Sequence, residues 1–413
     1  MNRILIFALL AITVSCKKSE TDIVDPQPGY KAIDLPAKAE MIISSSNNFG
    51  LEIFQKIVGD EPVSMNVFIS PTSLSLALSM TWNGAAGKTK DSMAYALRLP
   101  LLSDSQINSI NQELMHGLIT ADPVVNLTIA NSIWYRQEFE VEQNFIQVNR
   151  DYYDAEVSAL DFTASNARDL INNWVENKTN GKIKDLIDEI KPTDLMYLID
   201  AIYFKGTWKI AFDKDKTADA LFTLSDGNQK TVQMMNMKDT IGYFENDLFQ
   251  AAELEYGTGN FSMIVLLPKN NHVPGDILSE MTPENWQNWI SSFSAHEVGI
   301  KLPKFKFDYD KKLNDILTEM GMGIAFSDNA DFTRINSGGN LLIDLVKQKT
   351  FVDVNEEGTE AAAATVVVVA PTAIILDSTK YMSVDHPFIF AIREKSTNSI
   401  VFLGRVADPE YSE

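Results

Sequence analysis

The chain of 413 residues carries 35 Lys and Arg against 56 Asp and Glu, which gives a formal net charge of −21. This excess of acid argues against nucleic acid and heparin as partners, because binding to polyanions needs clustered basic side chains. The hydrophobic share of 45% and the charged share of 22% are typical of a globular protein with a sizeable core.

The first residues have the pattern of an export signal. Asn2 and Arg3 precede an apolar run over 4–12, which is too short to span a bilayer. Residues 13–16 (Thr-Val-Ser-Cys) then resemble the lipobox of bacterial lipoproteins, in which the cysteine is lipidated and becomes the new N-terminus. Thr13 stands where that motif usually has leucine. We therefore expect a signal peptide over 1–15 and a lipid anchor on Cys16, in the outer membrane or at the cell surface, with release to the exterior as an alternative.

Cys16 is the one cysteine of the sequence, so the mature body can form neither a disulfide nor a cysteine-ligated metal site. Residues 16–36 contain Pro26, Pro28 and Gly29 among polar residues, which predicts a flexible tether. We find no second linker and no repeat after it. Residues 37–409 are therefore predicted to form one domain.

Strand and helix patterns are mixed in the body without strict alternation, which favours an α+β fold over a doubly wound parallel sheet. Ser70 precedes Pro71 and is well placed to cap a helix that is almost wholly apolar. The predicted elements are a helix at 44–58, a strand at 67–70, a helix at 72–82, a strand at 126–136, a helix over 167–175, strands at 194–204, 261–267 and 341–354, and two closing strands within 384–406.

The most informative segment is 355–373, where four alanines and then four valines follow Glu-Glu-Gly-Thr-Glu. Gly358 permits a bend, and Pro371 favours an extended conformation in the residue before it. Drawn as a strand, alternate positions give one small and uncharged face. On these residues alone, two interpretations stay open: an ordinary buried strand, and an exposed loop that can enter a sheet after a protease has cut it. The residues of the small face are Thr359, Ala361, Ala363, Thr365, Val367 and Val369.

Several separated segments, in chain order from about Ile43 to Pro409, resemble the serpin family of serine protease inhibitors. They are Asn-Val-Phe-Ile-Ser-Pro-Thr-Ser at 66–73 with Gly-Ala-Ala-Gly at 84–87, Ile-Asn-Asn-Trp-Val at 171–175, Ala-Ile-Tyr-Phe-Lys-Gly at 201–206 with Trp208, Glu-Glu-Gly-Thr-Glu-Ala-Ala-Ala-Ala-Thr at 356–365, and Asp-His-Pro-Phe-Ile-Phe at 385–390 with Phe-Leu-Gly-Arg-Val at 402–406.

The resemblance implies a single domain of three β-sheets and about nine helices, with an exposed reactive-centre loop over about 356–378. It also implies a monomeric suicide-substrate inhibitor of serine endopeptidases, without enzymatic activity, cofactor or metal. In that mechanism the protease attacks the loop and forms an acyl-enzyme, and the loop then enters the main sheet as a new strand. Loop insertion of this kind adds a strand to an existing sheet and releases strain stored in the uncut protein.

Site residues follow from the same resemblance. By family spacing the reactive bond is Thr372–Ala373, and the small apolar residues before it suit a shallow hydrophobic pocket. Elastase-like proteases are therefore the first expectation and subtilisin-like ones the second. The hinge comprises Glu356, Glu357, Gly358, Thr359, Glu360, Ala361, Ala362, Ala363, Ala364 and Thr365, and the shutter and breach, where the sheet opens, comprise Ser70, Ser73, Asp200, Trp208 and Gln348.

Two of these positions depart from the family pattern, because Asp200 and Gln348 stand where Asn and His are usual. A carboxylate that faces an amide can still form a buried hydrogen bond, so we expect a gate in the main sheet. Since a histidine is lost, we also expect opening to depend little on pH between about 6 and 8.

Two other functions compete with inhibition. A non-inhibitory serpin that acts as a binding or chaperone-like module would usually carry bulky or charged hinge residues, and the small inward hinge residues here favour inhibition. A hydrolase is disfavoured, because none of the four histidines lies in a nucleophile-elbow or zinc-ligand pattern. His386 falls within a closing-strand motif and is expected to be structural. The other histidines are His116, His272 and His296.

Overall fold

The structure, a computed structural model, describes residues 30–269, 271–360 and 379–412. Cys16, the later hinge residues Ala361–Thr365 and the expected reactive bond Thr372–Ala373 lie outside these residues. The predicted signal peptide and most of the predicted tether lie outside them as well.

The described residues form α-helices and β-strands in mixed order, as an α+β fold requires. The helices are α1 (Ala39–Asp60), α2 (Pro71–Asn83), α3 (Gly87–Ala96), α4 (Asp104–Thr120), α5 (Gln143–Tyr153), α6 (Ala167–Lys178), α7 (Pro274–Glu280), α8 (Pro283–Ser291) and α9 (Asn314–Leu317). The strands are β1 (Val67–Ile69), β2 (Val125–Arg136), β3 (Glu156–Leu160), β4 (Met196–Thr207), β5 (Ala218–Thr223), β6 (Gln229–Glu245), β7 (Phe249–Tyr256), β8 (Phe261–Pro268), β9 (Ser294–Pro303), β10 (Phe305–Lys312), β11 (Lys347–Asn355), β12 (Gly358–Thr359), β13 (Lys380–Ser383), β14 (Phe388–Glu394) and β15 (Ile400–Val406).

Six strands form the main sheet, in the order β10-β11-β12-β4-β2-β3. The other nine form a second network, in which β1-β15-β14-β8-β7-β6-β9-β13 are neighbours and β5 pairs with β6. The long strand β6 pairs with β5, β9 and β7 along successive stretches. The expected serpin fold is confirmed, but the described strands form two hydrogen-bonded networks where three sheets were expected, because β6 links β5, β9 and β7 into one network.

Helix α2 lies between the two sheets, where it contacts β4 and β15. Nearly all of its residues are buried, as its apolar sequence predicts. The Ser70 side chain accepts a hydrogen bond from the backbone N–H of Ser73 at 3.2 Å, with Pro71 as the first helical residue, so the predicted cap is confirmed. This cap places two serines at the centre of the molecule.

The predicted strand at 341–354 was too long, because β11 begins only at Lys347. The backbone of residues 341–346 bonds to other elements: Ile343 donates to the carbonyl of Ala325, and Val346 accepts from the N–H of Leu313. These contacts hold the segment against the region around α9, away from the sheet ladder. Alternation of apolar residues does not reveal which backbone partner a segment finds.

The last residues of the predicted tether lie against the body. The backbone N–H of Ile33 donates to the Ser396 hydroxyl at 3.0 Å, and the Ile33 side chain packs against the core beside Gly117. Asn260 donates to the carbonyl of Lys31 at 2.6 Å. Ordered contacts with the domain therefore begin before residue 37.

Candidate functional site

Strand β12 is the part of the hinge that the structure places in the main sheet. Thr359 lies opposite Gly206 of β4 on one side and Val354 of β11 on the other, and both pairings are antiparallel. It follows that β4 and β11 run parallel. Among the described residues, β4 before Gly206 and β11 before Val354 have no ladder partner on their facing edges. We call the space between residues 196–205 and residues 347–353 the slot.

The bend into β12 requires glycine at position 358. Gly358 has a φ of +150°, and a Cβ atom there would collide with the carbonyl oxygen of Gly206. Only a residue without a side chain allows the two backbones to approach so closely. The glycine singled out by the sequence is therefore needed for strand contact.

The end of the slot at β12, which we call the upper end, is closed by aromatic side chains. The Trp208 ring stacks on Tyr256 with 4.4 Å between centroids, and its Nε1 donates to the carbonyl of Asn355 at 2.9 Å. The hydroxyls of Tyr256 and Thr359 lie 2.6 Å apart. Burial raises the pKa of Tyr256, so this phenol stays neutral and can donate. Thr359 thus points into the core, as the small face of the predicted strand requires.

The two glutamates before β12 bind the body. The Glu356 carboxylate lies 3.3 Å from Lys304, with 8% and 9% of the two side chains exposed, and accepts from the Thr217 hydroxyl at 2.8 Å. Burial by itself would raise the pKa of Glu356, but its hydrogen bonds and the Lys304 charge outweigh burial and lower it. Glu357 pairs with Lys214. The hinge therefore starts from a fixed, ionised anchor.

Glu360 ends the paired part of the hinge. Its N–H donates to the carbonyl of Asp353 at 2.7 Å, yet its φ of +49° is left-handed and breaks the extended course of the chain. Its carboxylate lies 3.2 Å from Lys182, which follows α6. Burial raises the pKa of Glu360, and Lys182 opposes that rise. Glu360 faces away from the core, on the side opposite Thr359.

The region of Asp200 and Gln348, which we call the lower end of the slot, is polar. Ser73 donates to Oδ1 of Asp200. Gln348 exchanges two hydrogen bonds of 3.0 Å with the backbone of Ser70. Both side chains thus bind the start of α2. The expected hydrogen bond between Asp200 and Gln348 is absent among the described residues, because each finds its partner on α2.

Asp200 carries an unsatisfied oxygen. Its Oδ2 is buried without a hydrogen-bond partner, although the residue as a whole is partly exposed. Burial, opposed only by the hydrogen bond from Ser73, raises the pKa of Asp200 to about 8. The prediction that opening of the sheet depends little on pH considered only the lost histidine. It did not consider the Asp200 carboxylate, which ionises at the edge of the same pH range.

Residues 182–188, which follow α6, lie across the slot on its outer face, the face of the main sheet opposite α2. Lys349 of β11 donates to the carbonyl of Lys184 at 2.7 Å, and Lys347 lies 3.1 Å from Asp188. Lys182 stands 5.0 Å from the centre of the Phe351 ring. A strand that enters the slot must therefore pass beneath residues 182–188.

The structure brings the predicted site residues into two groups. Trp208 joins the described hinge residues at the upper end, whereas Ser70, Ser73, Asp200 and Gln348 meet at α2. Sequence reasoning missed Tyr256 and Lys304, which lie about a hundred residues and about fifty residues before the hinge and carry no motif of their own. His386 bonds to Asp385 at 2.8 Å and to the carbonyl of Pro268 at 2.9 Å, which is the structural role expected for it.

No helix of the described ranges is long and apolar enough to cross a membrane. In the same ranges, no group of three or more His, Cys, Asp or Glu side chains is arranged to hold a metal ion.

Comparison with known proteins agrees with this geometry. A family model described as "Serpin (serine protease inhibitor)" matches residues 44–409. A serpin-like protein of Thermococcus kodakarensis is 33% identical, over 89% of this chain and 86% of its own length. The leukocyte elastase inhibitor of Bos taurus is 34% identical, over 90% of this chain and all of its own. The native-state crystal structure of the thermophilic serpin tengpin is 33% identical and superposes with a TM-score of 0.81, over 92% of this chain and 97% of tengpin. The chain belongs to the serpin family.

Proposed function

We propose that this serpin is an irreversible inhibitor of serine endopeptidases, which it traps as an acyl-enzyme by inserting its cut loop into the slot. The observation that carries the proposal is β12, which already pairs with both β4 and β11 and lies antiparallel to each. It sets the direction and register in which further residues can follow.

The register of β12 can be continued along the slot. Each further residue of the hinge moves one position back along both β4 and β11. From Thr359 opposite Gly206 and Val354, six steps bring Thr365 between Asp200 and Gln348. Insertion would thus carry the strand from the upper end of the slot to the lower end and give both edges main-chain partners.

The side chains of the entering strand fit this register. Ala361 would stand between Phe204 and Val352, and Ala363 between Ile202 and Thr350, whose side chains are all buried. Alanine suits such positions because larger side chains would overpack a closed core. On the outer face, Ala362 would pass beneath Lys182 between Tyr203 and Phe351. The run of four alanines thus serves both faces of the strand.

The chemistry needs only the target's own nucleophile. A serine hydroxyl of the protease attacks the carbonyl of Thr372, the bond to Ala373 breaks, and the amine of Ala373 leaves. The ester then joins the protease to the end of the entering strand. Sixteen rises of about 3.3 Å from Glu356 to Thr372 correspond to a displacement of about 50 Å, enough to carry the enzyme across the inhibitor and deform its active site.

The expected target has a shallow hydrophobic specificity pocket. Residues 369–372, Val-Ala-Pro-Thr, are small and uncharged, so a pocket with a buried carboxylate would be left without a cationic partner. Elastase-like enzymes come first and subtilisin-like enzymes second. The relative named leukocyte elastase inhibitor supports this order.

The proposal extends to location. A lipid on Cys16 would hold the domain at the cell envelope through the residues that follow it, where it would meet exported or foreign proteases. Metabolic labelling with a fatty acid tests this, since a labelled wild type and an unlabelled Cys16→Ser variant are expected.

The direct test is incubation with a neutrophil-type elastase followed by denaturing electrophoresis. We expect a band of the summed mass and an equal loss of elastase activity, with no such band when the elastase serine is blocked beforehand. Simple nicking with elastase still active would instead identify a substrate or a non-inhibitory serpin.

A further inference from the structure

The lower end of the slot has a chemical character of its own. Six residues below the last β12 pairs, Asp200 and Gln348 stand at the same level on β4 and β11. Gln348 is satisfied by the backbone of Ser70, whereas Asp200 has one hydrogen bond, from Ser73, and a buried Oδ2 with none. The free oxygen therefore belongs to a residue whose strand borders the path of an entering strand.

The groups around Asp200 are neutral. Ser73 faces it from α2, Gln348 from β11, and Asn131 lies directly opposite on β2. Asn131 also has a buried oxygen, Oδ1, without a hydrogen-bond partner. The cations of β11, Lys347 and Lys349, point to the other face, where they bind residues 182–188. No described charge thus compensates an ionised Asp200.

Two buried oxygens without donors favour the protonated form of the acid over its ionised form. A neutral Asp200 supplies one donor, whereas its ionisation leaves a buried carboxylate with a single hydrogen bond. A strand that brings a hydroxyl to this level gives the carboxylate a second donor. The ionised acid is therefore better accommodated with such a strand in the slot than without it.

We propose that Asp200 is a proton-linked control on strand insertion: ionisation of its side chain favours a strand that brings a hydroxyl to the lower end of the slot. The proposal rests on the proposed function, since it assumes that a strand enters between β4 and β11. The raised pKa of Asp200, about 8, sets the range in which the control acts. Insertion should release a proton below that value and become more favourable as pH rises through it.

The test uses a synthetic peptide that copies residues 359–370 and the intact protein. Incorporation is followed by the gain in melting temperature and the mobility change on a native gel, at fixed ionic strength. For the wild type we expect the rate to rise about tenfold between about pH 6.5 and 9.5, the scale of one added hydrogen bond to a charged group. Asp200→Asn, which cannot ionise, should show a flat profile.

A second peptide keeps the test independent of that variant. In this peptide a valine replaces the threonine that would lie level with Asp200. Valine has nearly the size of threonine but lacks the hydroxyl, so the rise of the incorporation rate with pH should disappear in the wild-type protein. Equal slopes in wild type and Asp200→Asn, or equal slopes for both peptides, would overturn the proposal while the proposed function stands. If neither peptide enters at any pH, insertion itself fails and the control fails with it.

Discussion

The two ends of the slot differ in how they are held. At the upper end, a strand of the hinge is already paired on both sides, and Thr359, Tyr256 and Trp208 form a buried group with satisfied polar atoms. At the lower end, Asp200 and Gln348 are bound to α2, and one carboxylate oxygen has no partner. Insertion can therefore begin where the sheet is complete, and it must displace or satisfy polar groups when the strand reaches the level of Asp200.

The largest effect is expected at the upper end. Thr359→Arg would place a guanidinium in the core beside Tyr256 and Trp208, neither of which supplies a carboxylate, so the strand cannot stay paired. Cleavage by elastase should continue while the covalent complex is abolished, which electrophoresis of timed samples would show. Thr359→Ser keeps the hydroxyl and should retain the complex. Undiminished complex with the arginine variant would refute insertion at this site.

The reactive bond can be changed without touching either end of the slot. Thr372→Arg supplies the cation that a trypsin-like pocket binds, so the ratio of inhibition rates for trypsin and elastase should rise about a hundredfold or more. Thr372→Val serves as the matched control and should keep the preference for elastase. Insertion, measured by peptide incorporation, should be equal in all three proteins. An unchanged ratio in the arginine variant would show that another bond is used.

The lower end predicts a pH dependence of the stability of the uncut protein. The pKa of Asp200 rises from 3.8 in its ordinary state to about 8 in the fold, so the native protein holds a proton that the unfolded chain has lost. The free energy of unfolding of the native protein should therefore fall by a few kcal/mol as pH rises from about 4 to about 8, and it should level off above pH 8. Asp200→Asn should lack this component in urea unfolding at matched pH. Parallel curves for the two proteins would place the ionisation elsewhere.

The smallest effect concerns the segment over the slot. Lys349→Ala removes the hydrogen bond to the carbonyl of Lys184 and should speed peptide incorporation about twofold to fivefold, the scale of one hydrogen bond. Lys184→Ala is the control, because it keeps the carbonyl that accepts from Lys349 and removes instead the ion pair of 3.1 Å between Lys184 and Glu176. Equal acceleration by both changes would mean that the contact with β11 does not restrain entry.

The difference between the two ends also marks what sequence could predict. The Ser70 cap and the direction of Thr359 depend on local rules, namely helix capping and the alternation of a strand, and both were confirmed. The prediction of a hydrogen bond between Asp200 and Gln348 was wrong, because α2, which is distant in sequence, supplies competing donors and acceptors. Sequence reasoning could not identify the role of Tyr256 for the same reason, because that role depends on its contact with Thr359, which is distant in sequence.

The central claim is that the uncut protein is held in a metastable state, with the slot as the destination of the loop. Intact protein and protein nicked at the loop should be melted side by side, with calorimetry or circular dichroism as the readout. We expect the nicked form to melt at a much higher temperature, because the slot then gains a full strand. Equal melting temperatures would contradict the claim.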